Sequence, residues 1–133
     1  MKPRFALTFV ELVRERPQDI GDVIVTAYPA LHTPETVPTI LRLEWGGKII
    51  TYSGDTEWTD ALVKASDGAD LLIVESYYYD KPIKMHMTYA TLRAHREELN
   101  VKSLVLTHMS EDMLKRVSEI DEDCASDGLV ISL

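Results

Sequence analysis

An aspartate directly after a predicted strand is the first candidate for chemistry in this chain. Lys48–Tyr52 reads as a strand, and the Ser53–Thr56 segment breaks it. Because Gly54 permits a sharp turn, the carboxylate of Asp55 is aimed off the end of the sheet. A hard, bidentate anion in that place can bridge two cations. The competing interpretation is that Asp55 caps a helix that begins near Glu57, which is a common role for aspartate.

A histidine follows another apolar strand. Val101–Leu106 reads as a buried strand, and His108 comes two residues after it. Ligands usually collect at strand ends in open α/β sheets. A neutral imidazole there is a good ligand for Zn²⁺, Fe²⁺ or Mn²⁺. The alternative is a half-buried histidine whose hydrogen bonds are satisfied within the protein.

Three further residues are candidates for the same chemistry. His86 lies just before a helix predicted from Thr88, where it could act as a general acid for a leaving group. Glu75 ends an apolar strand and could orient or tune a nearby histidine. His32, in the loop after the second strand, could line a substrate pocket. The alternative for each is a solvated surface residue, which is the role we expect for His95 on a polar helix face.

The elements that position these residues are predicted from hydrophobic periodicity and turn signals. The predicted strands are Phe5–Val13, Asp22–Ala27, Thr39–Trp45, Lys48–Tyr52, Asp70–Glu75, Val101–Leu106 and Gly128–Leu133. The predicted helices are Glu57–Ser66, Thr88–Leu99 and Glu111–Ile120, and Thr88 is the expected N-cap of the second. Arg14–Gly21 is predicted to be a polar turn. This order indicates an α/β fold with a mixed sheet and helices on one face.

Length and charge limit the class of protein. The chain has 133 residues and a net charge of −8, which suits one acidic domain with a real core. No apolar run approaches the roughly 18 residues of a membrane helix, and no signal-peptide core follows the N-terminus. We therefore expect a cytoplasmic protein without a membrane partner, as the single cysteine, Cys124, also suggests. The absence of a basic cluster disfavours a nucleic-acid partner without excluding one.

Several segments, taken in order, resemble the metallo-β-lactamase-fold hydrolases and, among them, the tRNase Z-like branch. Ile49–Thr56 resembles the metal-bridging aspartate motif, Leu71–Glu75 the strand after it, and Ser103–Ser110 the last histidine motif. His86–Thr91 resembles the extra histidine motif of the tRNase Z-like branch, and Ala27–Glu44 is also similar to that branch. The resemblance covers most of the chain.

The resemblance implies a role for each matched residue. Asp55 would bridge two metals and His108 would ligate one of them. His86 would be the proton donor and Glu75 its partner. The implied activity is cleavage of a phosphodiester or related ester by metal-bound hydroxide, with Zn²⁺ or another divalent transition metal as the cofactor of the intact protein.

The chain departs from the family in its histidines. The family's metal site also needs a His-x-His-x-Asp-His cluster and a further histidine from the N-terminal half, whereas this chain has four histidines and no His-x-His pair. Two matched ligands cannot hold a dinuclear site, because first-row metals take four or more donors each. Residues 1–133 are therefore expected to form a single half-domain, the C-terminal half of an αββα sandwich. We expect it to be inactive alone, with an incomplete metal site or none.

The loss of the other half would leave apolar sheet surface without a cover. A homodimer through that exposed sheet face is the predicted partnership. A second functional hypothesis is a non-catalytic binding or structural domain that kept the fold with a degenerate metal site. A third is a small α/β domain unrelated to the family, in which Asp55, His86 and His108 do not converge on one edge of the sheet.

Overall fold

One mixed sheet of seven strands forms the centre of the fold in the computed structural model, which describes residues 4–133. The strands are β1 (Gln18–Ile20), β2 (Val23–Pro29), β3 (Thr39–Trp45), β4 (Lys48–Tyr52), β5 (Ala69–Glu75), β6 (Val101–Thr107) and β7 (Asp123–Cys124). They lie side by side in chain order. Strands β1 to β4 pair antiparallel, and strands β4 to β7 pair parallel.

The antiparallel half is organised by a tight hairpin. Gly46 and Gly47 have φ angles of 56° and 76°, which suits the two-residue turns that match the twist of the flanking strands. Trp45 therefore pairs directly with Lys48, and β3 and β4 have the bounds that their alternation predicted.

The parallel half carries the helices α1 (Asp60–Ser66), α2 (Tyr89–Ala94) and α3 (Glu111–Leu114). Leu62 of α1 and Leu92 of α2 are fully buried in one core cluster with Leu72 and Val74 of the central strand β5. Met113 of α3 belongs to the same cluster, so the helices pack on one face of the sheet. The predicted fold class, a mixed sheet with helices on one face, is confirmed.

Helices α1 and α2 each follow a threonine that caps their first turn. The side chain of Thr59 accepts a hydrogen bond from the amide of Leu62, and that of Thr88 accepts one from the amide of Thr91. Both bonds satisfy amides that a helix start leaves unpaired. The N-cap at Thr88 is thereby confirmed. The interpretation of Asp55 as a helix cap is wrong, because α1 begins later than predicted and Thr59 caps it.

The helices are shorter than their periodicity indicated. The predicted Glu57–Ser66 begins only at Asp60. The predicted Thr88–Leu99 and Glu111–Ile120 each stop early and continue as 3₁₀ turns at Arg96–Glu98 and Val117–Glu119. Tighter turns complete both segments, and Leu99 and Ile120, which follow those turns, still contact the core.

The predictions were wrong at both ends of the chain. Phe5–Val13 is not a strand, because none of the described strands pairs with it, and Phe9 is 89% exposed. The predicted turn Arg14–Gly21 contains β1, which forms because its backbone pairs with β2. Gly128–Leu133 is irregular, and β7 is the last strand. Propensity alone cannot supply the neighbour that a strand requires.

The sheet face opposite the helices is apolar and partly open. Because side chains alternate along a strand, Leu43 and Trp45 lie on the face opposite the buried core residue Ile40. The C-terminal residues Ile131 and Leu133 share a cavity of about 430 Å³ with them. Trp45 nevertheless remains 64% exposed. Within residues 4–133, no helix has the length and apolar character needed to cross a bilayer.

A buried carboxylate joins the strands at the edge far from the carboxyl end of β5. Asp70, near the start of β5, accepts hydrogen bonds from the amide of Ile49 at 2.8 Å and from Lys102 Nζ at 2.7 Å. Lys48 Nζ lies 4.0 Å away. The hydrogen bond from Lys102, with that from Ile49, lowers the pKa of Asp70 below its ordinary value. Folding therefore favours the ionised form of this carboxyl.

We expect Asp70→Asn to unfold at a lower urea concentration than the wild type at pH 7, because the amide removes the charge that Lys102 pairs with. A carboxyl whose pKa falls on folding contributes stability above its unfolded pKa of about 3.9, and this is lost as pH falls through the lower folded pKa. The difference between variant and wild type should therefore shrink at more acidic pH. Asp127→Asn, at an exposed position, is the control. An undiminished difference below the folded pKa would contradict this account.

Candidate metal and catalytic site

The predicted site residues meet at one edge of the sheet. Glu75 ends β5, and Asp55 and His108 follow the neighbouring parallel strands β4 and β6, so their positions share the carboxyl edge. Asp55 Oδ2 lies 3.6 Å from His108 Nε2. The rings of His86 and His108 are stacked with their centroids 5.3 Å apart. The hypothesis of an unrelated domain, in which these residues stay apart, is therefore wrong.

A glycine turn delivers Asp55 to this edge. Gly54 has a φ of 57°, and a Cβ at that position would lie 3.0 Å from the carbonyl oxygen of Thr39. Only glycine meets both the left-handed conformation and the close backbone approach without strain. The sharp turn inferred from the sequence is present, and it brings Asp55 to the edge of the sheet.

The backbone is left-handed at His108 itself and at the residue before His86. His108 has a φ of 52°, and Met85, directly before His86, has a φ of 66°. Non-glycine residues rarely adopt this conformation, and such strain concentrates at functional sites. The amide of Met85 is held by a 2.7 Å hydrogen bond to Glu57 Oε1.

Glu75 holds the imidazole of His86. The two side chains meet through Nδ1 and Oε2 at 3.0 Å. The carboxyl is only 1% exposed and also accepts the amide of Thr56, while Ser53 Oγ accepts the amide of Glu75. Burial raises the pKa of Glu75 to about 8, and the Thr56 hydrogen bond opposes that rise. Glu75 therefore fixes both the loop after β4 and the ring of His86.

His32 lies beside Asp55, in a place that sequence reasoning did not assign to it. Its Nε2 is 3.9 Å from Asp55 Oδ2, and its ring packs edge-on against that of His86 at 4.9 Å. Its loop is tied to the Asp55 loop, since Leu31 donates to Thr56 Oγ1 at 2.9 Å. The signal was available: β2 and β4 both run antiparallel to β3, so their carboxyl ends share an edge.

Tyr77 is a further residue of the site. Its ring centroid lies 5.0 Å from that of His86 and 5.4 Å from that of His108. Its amide donates to the carbonyl of Met87, and its carbonyl accepts the amide of Ser110. Tyr77 thus packs against both imidazoles while its backbone joins their loops. His95 lies outside this cluster, with its Nδ1 2.6 Å from Glu98 Oε1.

The cluster offers nitrogen and carboxylate donors to a cation. Two sets of three have donor atoms within 4.8 Å of one another: His32, Asp55 and His86, and Glu75, His86 and His108. Imidazole with carboxylate suits Zn²⁺ and other divalent first-row metals. The donors of the described residues therefore fit part of a metal centre, but they are fewer than two such metals require.

Comparison with known protein families agrees with this site geometry. Residues 1–109 match the family model described as Beta-lactamase superfamily domain. The chain belongs to the beta-lactamase superfamily. The chain is 32% identical over 120 residues to Ribonuclease Z of Methanosarcina acetivorans. The match covers 86% of the chain and 36% of that protein. The resemblance to the tRNase Z-like branch is confirmed.

Solved structures agree with this superfamily assignment. Human tRNase Z, short form, superposes with a TM-score of 0.65 and 26% identity over 86% of this chain and 45% of that chain. The metallo-beta-lactamase fold protein YhfI from Bacillus subtilis shares the fold, with a TM-score of 0.77 and 21% identity over 92% of this chain and 55% of its own. The chain thus spans about half the length of these structural neighbours and about a third of the Methanosarcina relative.

Replacing Glu75 by alanine should change the tautomer of His86. At pH 9, above the pKa of Glu75, the carboxylate can only accept, so Nδ1 carries the proton in the wild type. Glu75→Ala removes this acceptor, and we expect the proton of His86 to move to Nε2. Long-range proton–nitrogen NMR reports both ring nitrogens. His95, held by Glu98, is the internal reference and should not change. A proton that stays on Nδ1 in the variant would show that Glu75 does not set the tautomer.

Proposed function

We propose that this chain carries the Asp55–His108 part of a metal-dependent hydrolase site that cleaves a phosphodiester or related ester bond. The observation that supports it is the convergence of a carboxylate and three imidazoles at the carboxyl edge of the sheet. The relatives support the same reaction class, since proteins similar to this chain are named Ribonuclease Z and tRNase Z.

In this proposal Asp55 and His108 are metal ligands, with Zn²⁺ or another divalent transition metal as the cofactor. The sequence suggested that His32 lines the substrate pocket. Because its Nε2 lies 3.9 Å from Asp55 Oδ2, we also propose His32 as a third metal ligand. A bound divalent cation supplies a water nucleophile at neutral pH and stabilises negative charge that develops on the substrate.

His86 and Glu75 provide the proton chemistry. The hydrogen bond between Glu75 and Nδ1 orients His86 and leaves Nε2 as the ring nitrogen for a substrate atom. When both ring nitrogens are protonated, the imidazolium held in this way can give its Nε2 proton to the leaving oxygen, as a general acid does, and keeps the Nδ1 proton on the Glu75 side. Tyr77 packs against the rings of both His86 and His108 and so holds the two rings beside each other.

We also propose that the chain does not complete this site by itself. It has no His-x-His pair, and its donors fall short of two four-coordinate metals. Its role would then be that of the C-terminal half of the hydrolase, inactive until the remaining donors are supplied. The shortage of donors and the net charge of −8 also favour one alternative, a binding or structural domain with a degenerate metal site.

The metal content of the purified chain tests the half-site. After dialysis we expect almost no retained metal, and titration with Zn²⁺ should show weak binding. Asp55→Asn should weaken that binding by at least about tenfold, since even the loss of an outer-shell partner costs 10–100-fold in metal affinity. His95→Ala, outside the cluster, is the matched control and should bind as the wild type does.

Two other results decide between the remaining interpretations. Two tightly held metals per chain would mean that the donors are complete, and the half-site proposal would be wrong. An equally weak affinity in wild type and Asp55→Asn would mean that the carboxylate binds no cation. That result would favour the non-catalytic domain.

We further propose that a second copy of the chain covers the apolar sheet face. Trp45 is exposed in β3 on the sheet face that also carries Leu43, and an uncovered apolar face seeks a partner. The structural neighbours have about twice the length of chain, so two copies together provide the missing amount of chain. Each copy carries a net charge of −8, so like charge opposes their association.

Light scattering during size-exclusion chromatography should therefore show a dimer of the 15.1 kDa chain. Because salt screens the repulsion, the dimer should tighten as ionic strength rises. Trp45→Lys should weaken it by about thirtyfold or more, the cost of losing an aromatic hot spot. Leu114→Lys, at an exposed position on the helical side, should leave it intact. A monomer at every salt concentration would refute this interface.

A further inference from the structure

A cavity beside the site is not used by the proposed metal chemistry. It has a volume of about 510 Å³ and lies between the segment before α1 and helix α2. His86 lines it, so it opens directly onto the candidate proton donor. The other residues that matter for its chemistry are Trp58, His95, Glu57 and Asp80, none of which belongs to the candidate metal ligands.

Two of these residues form a flat aromatic pair. The rings of Trp58 and His95 are stacked, with centroids 4.5 Å apart and planes 16° from parallel. Trp58 packs against the core, and His95 is held by Glu98, so the pair is fixed from both sides. The side chain of His95 is 38% exposed. A flat heteroaromatic ring that enters the cavity can extend this stack, as bases do on aromatic side chains.

The polar lining selects the kind of ring. Glu57 and Asp80 bring two carboxylates to the cavity, and among the described residues that line it there is no Lys or Arg. Arg116, outside the lining, lies 3.8 Å from Asp80 Oδ1, so Glu57 is the carboxylate with no Lys or Arg paired to it among the described ion pairs. Carboxylates accept hydrogen bonds from amino groups and repel phosphate. The lining therefore suits an amino-bearing base and disfavours a phosphate group within the cavity itself.

We propose that this cavity binds the amino-bearing heteroaromatic base of a nucleotide, with the phosphate ester directed towards His86. The direction of the ester rests on the proposed function. The binding of the base does not, since none of the residues invoked for it is a proposed metal ligand. The nucleotide could be free or stand at the end of an RNA strand, and the cavity recognises the base that both share.

The two tryptophans of the chain make the test direct. Trp58 lines the cavity, while Trp45 lies on the hairpin and does not line it. In the presence of a metal chelator, adenosine 5′-monophosphate should shift the NMR signal of the Trp58 indole N–H and leave that of Trp45 in place. Ribose 5-phosphate, which lacks the base, should move neither signal. The chelator separates this result from the metal proposal, which can fail independently.

Variants of His95 test the stack without touching the core. His95→Ala should weaken the binding of adenosine 5′-monophosphate by about 5-fold to 150-fold, which is the usual range for the loss of one base stack. His95→Phe keeps a flat ring and should restore most of the affinity. A short RNA that ends in adenosine identifies the source, because tighter binding than the mononucleotide indicates an RNA end and equal binding a free nucleotide. The proposal is overturned if the Trp58 signal does not move, or if ribose 5-phosphate moves it equally.

Discussion

The buried carboxyl of Glu75 is the contact on which the rest of the site depends. It accepts the amide of Thr56 and pairs with Nδ1 of His86, while its own amide is held by Ser53. One side chain thereby joins the ends of β4 and β5 to the loop before α2. Burial of a carboxyl is costly, as its raised pKa shows. The fold bears that cost at the point where Asp55 and His86 must be positioned together.

The sheet order explains why one edge collects the candidate donors. Strands β4, β5 and β6 run parallel, and β2 runs in the same direction because β3 is antiparallel to both of its neighbours. With β7, which is parallel to β6, five described strands thus end at the same edge, and the residues after them include His32, Asp55 and His108. The cavity between Trp58 and α2 opens at His86 and gives this edge a place for a base beside the proposed metal ligands.

The same architecture leaves the metal site with few donors and one sheet face partly uncovered. The described residues provide donors for part of a metal centre, and the sheet face that carries Leu43 and Trp45 keeps apolar surface in contact with solvent. Both would be met by additional chain on that side of the sheet. The proposed second copy would cover the apolar surface, and the proposed half-site would take its remaining donors from outside the described cluster.

The sequence by itself determined the local elements and the residue types of the site. The strand bounds at Thr39–Trp45 and Lys48–Tyr52, the N-cap at Thr88 and the turn at Gly54 all follow from short-range rules. These rules act between residues close in the chain, so periodicity and turn chemistry were sufficient to find them. The motifs around Asp55 and His108 are also short runs of sequence, and they were sufficient to indicate the family.

Only the tertiary structure decided which elements have neighbours and which side chains meet. Phe5–Val13 has the pattern of a strand but no partner among the described strands, whereas Gln18–Ile20 has little strand character and pairs with β2. His32 comes to Asp55 because two strands separated along the chain run in the same direction. The stack of Trp58 on His95 depends on where α2 packs against the core. A strand partner and a contact between distant residues are properties of the packed sheet, and no local pattern encodes them.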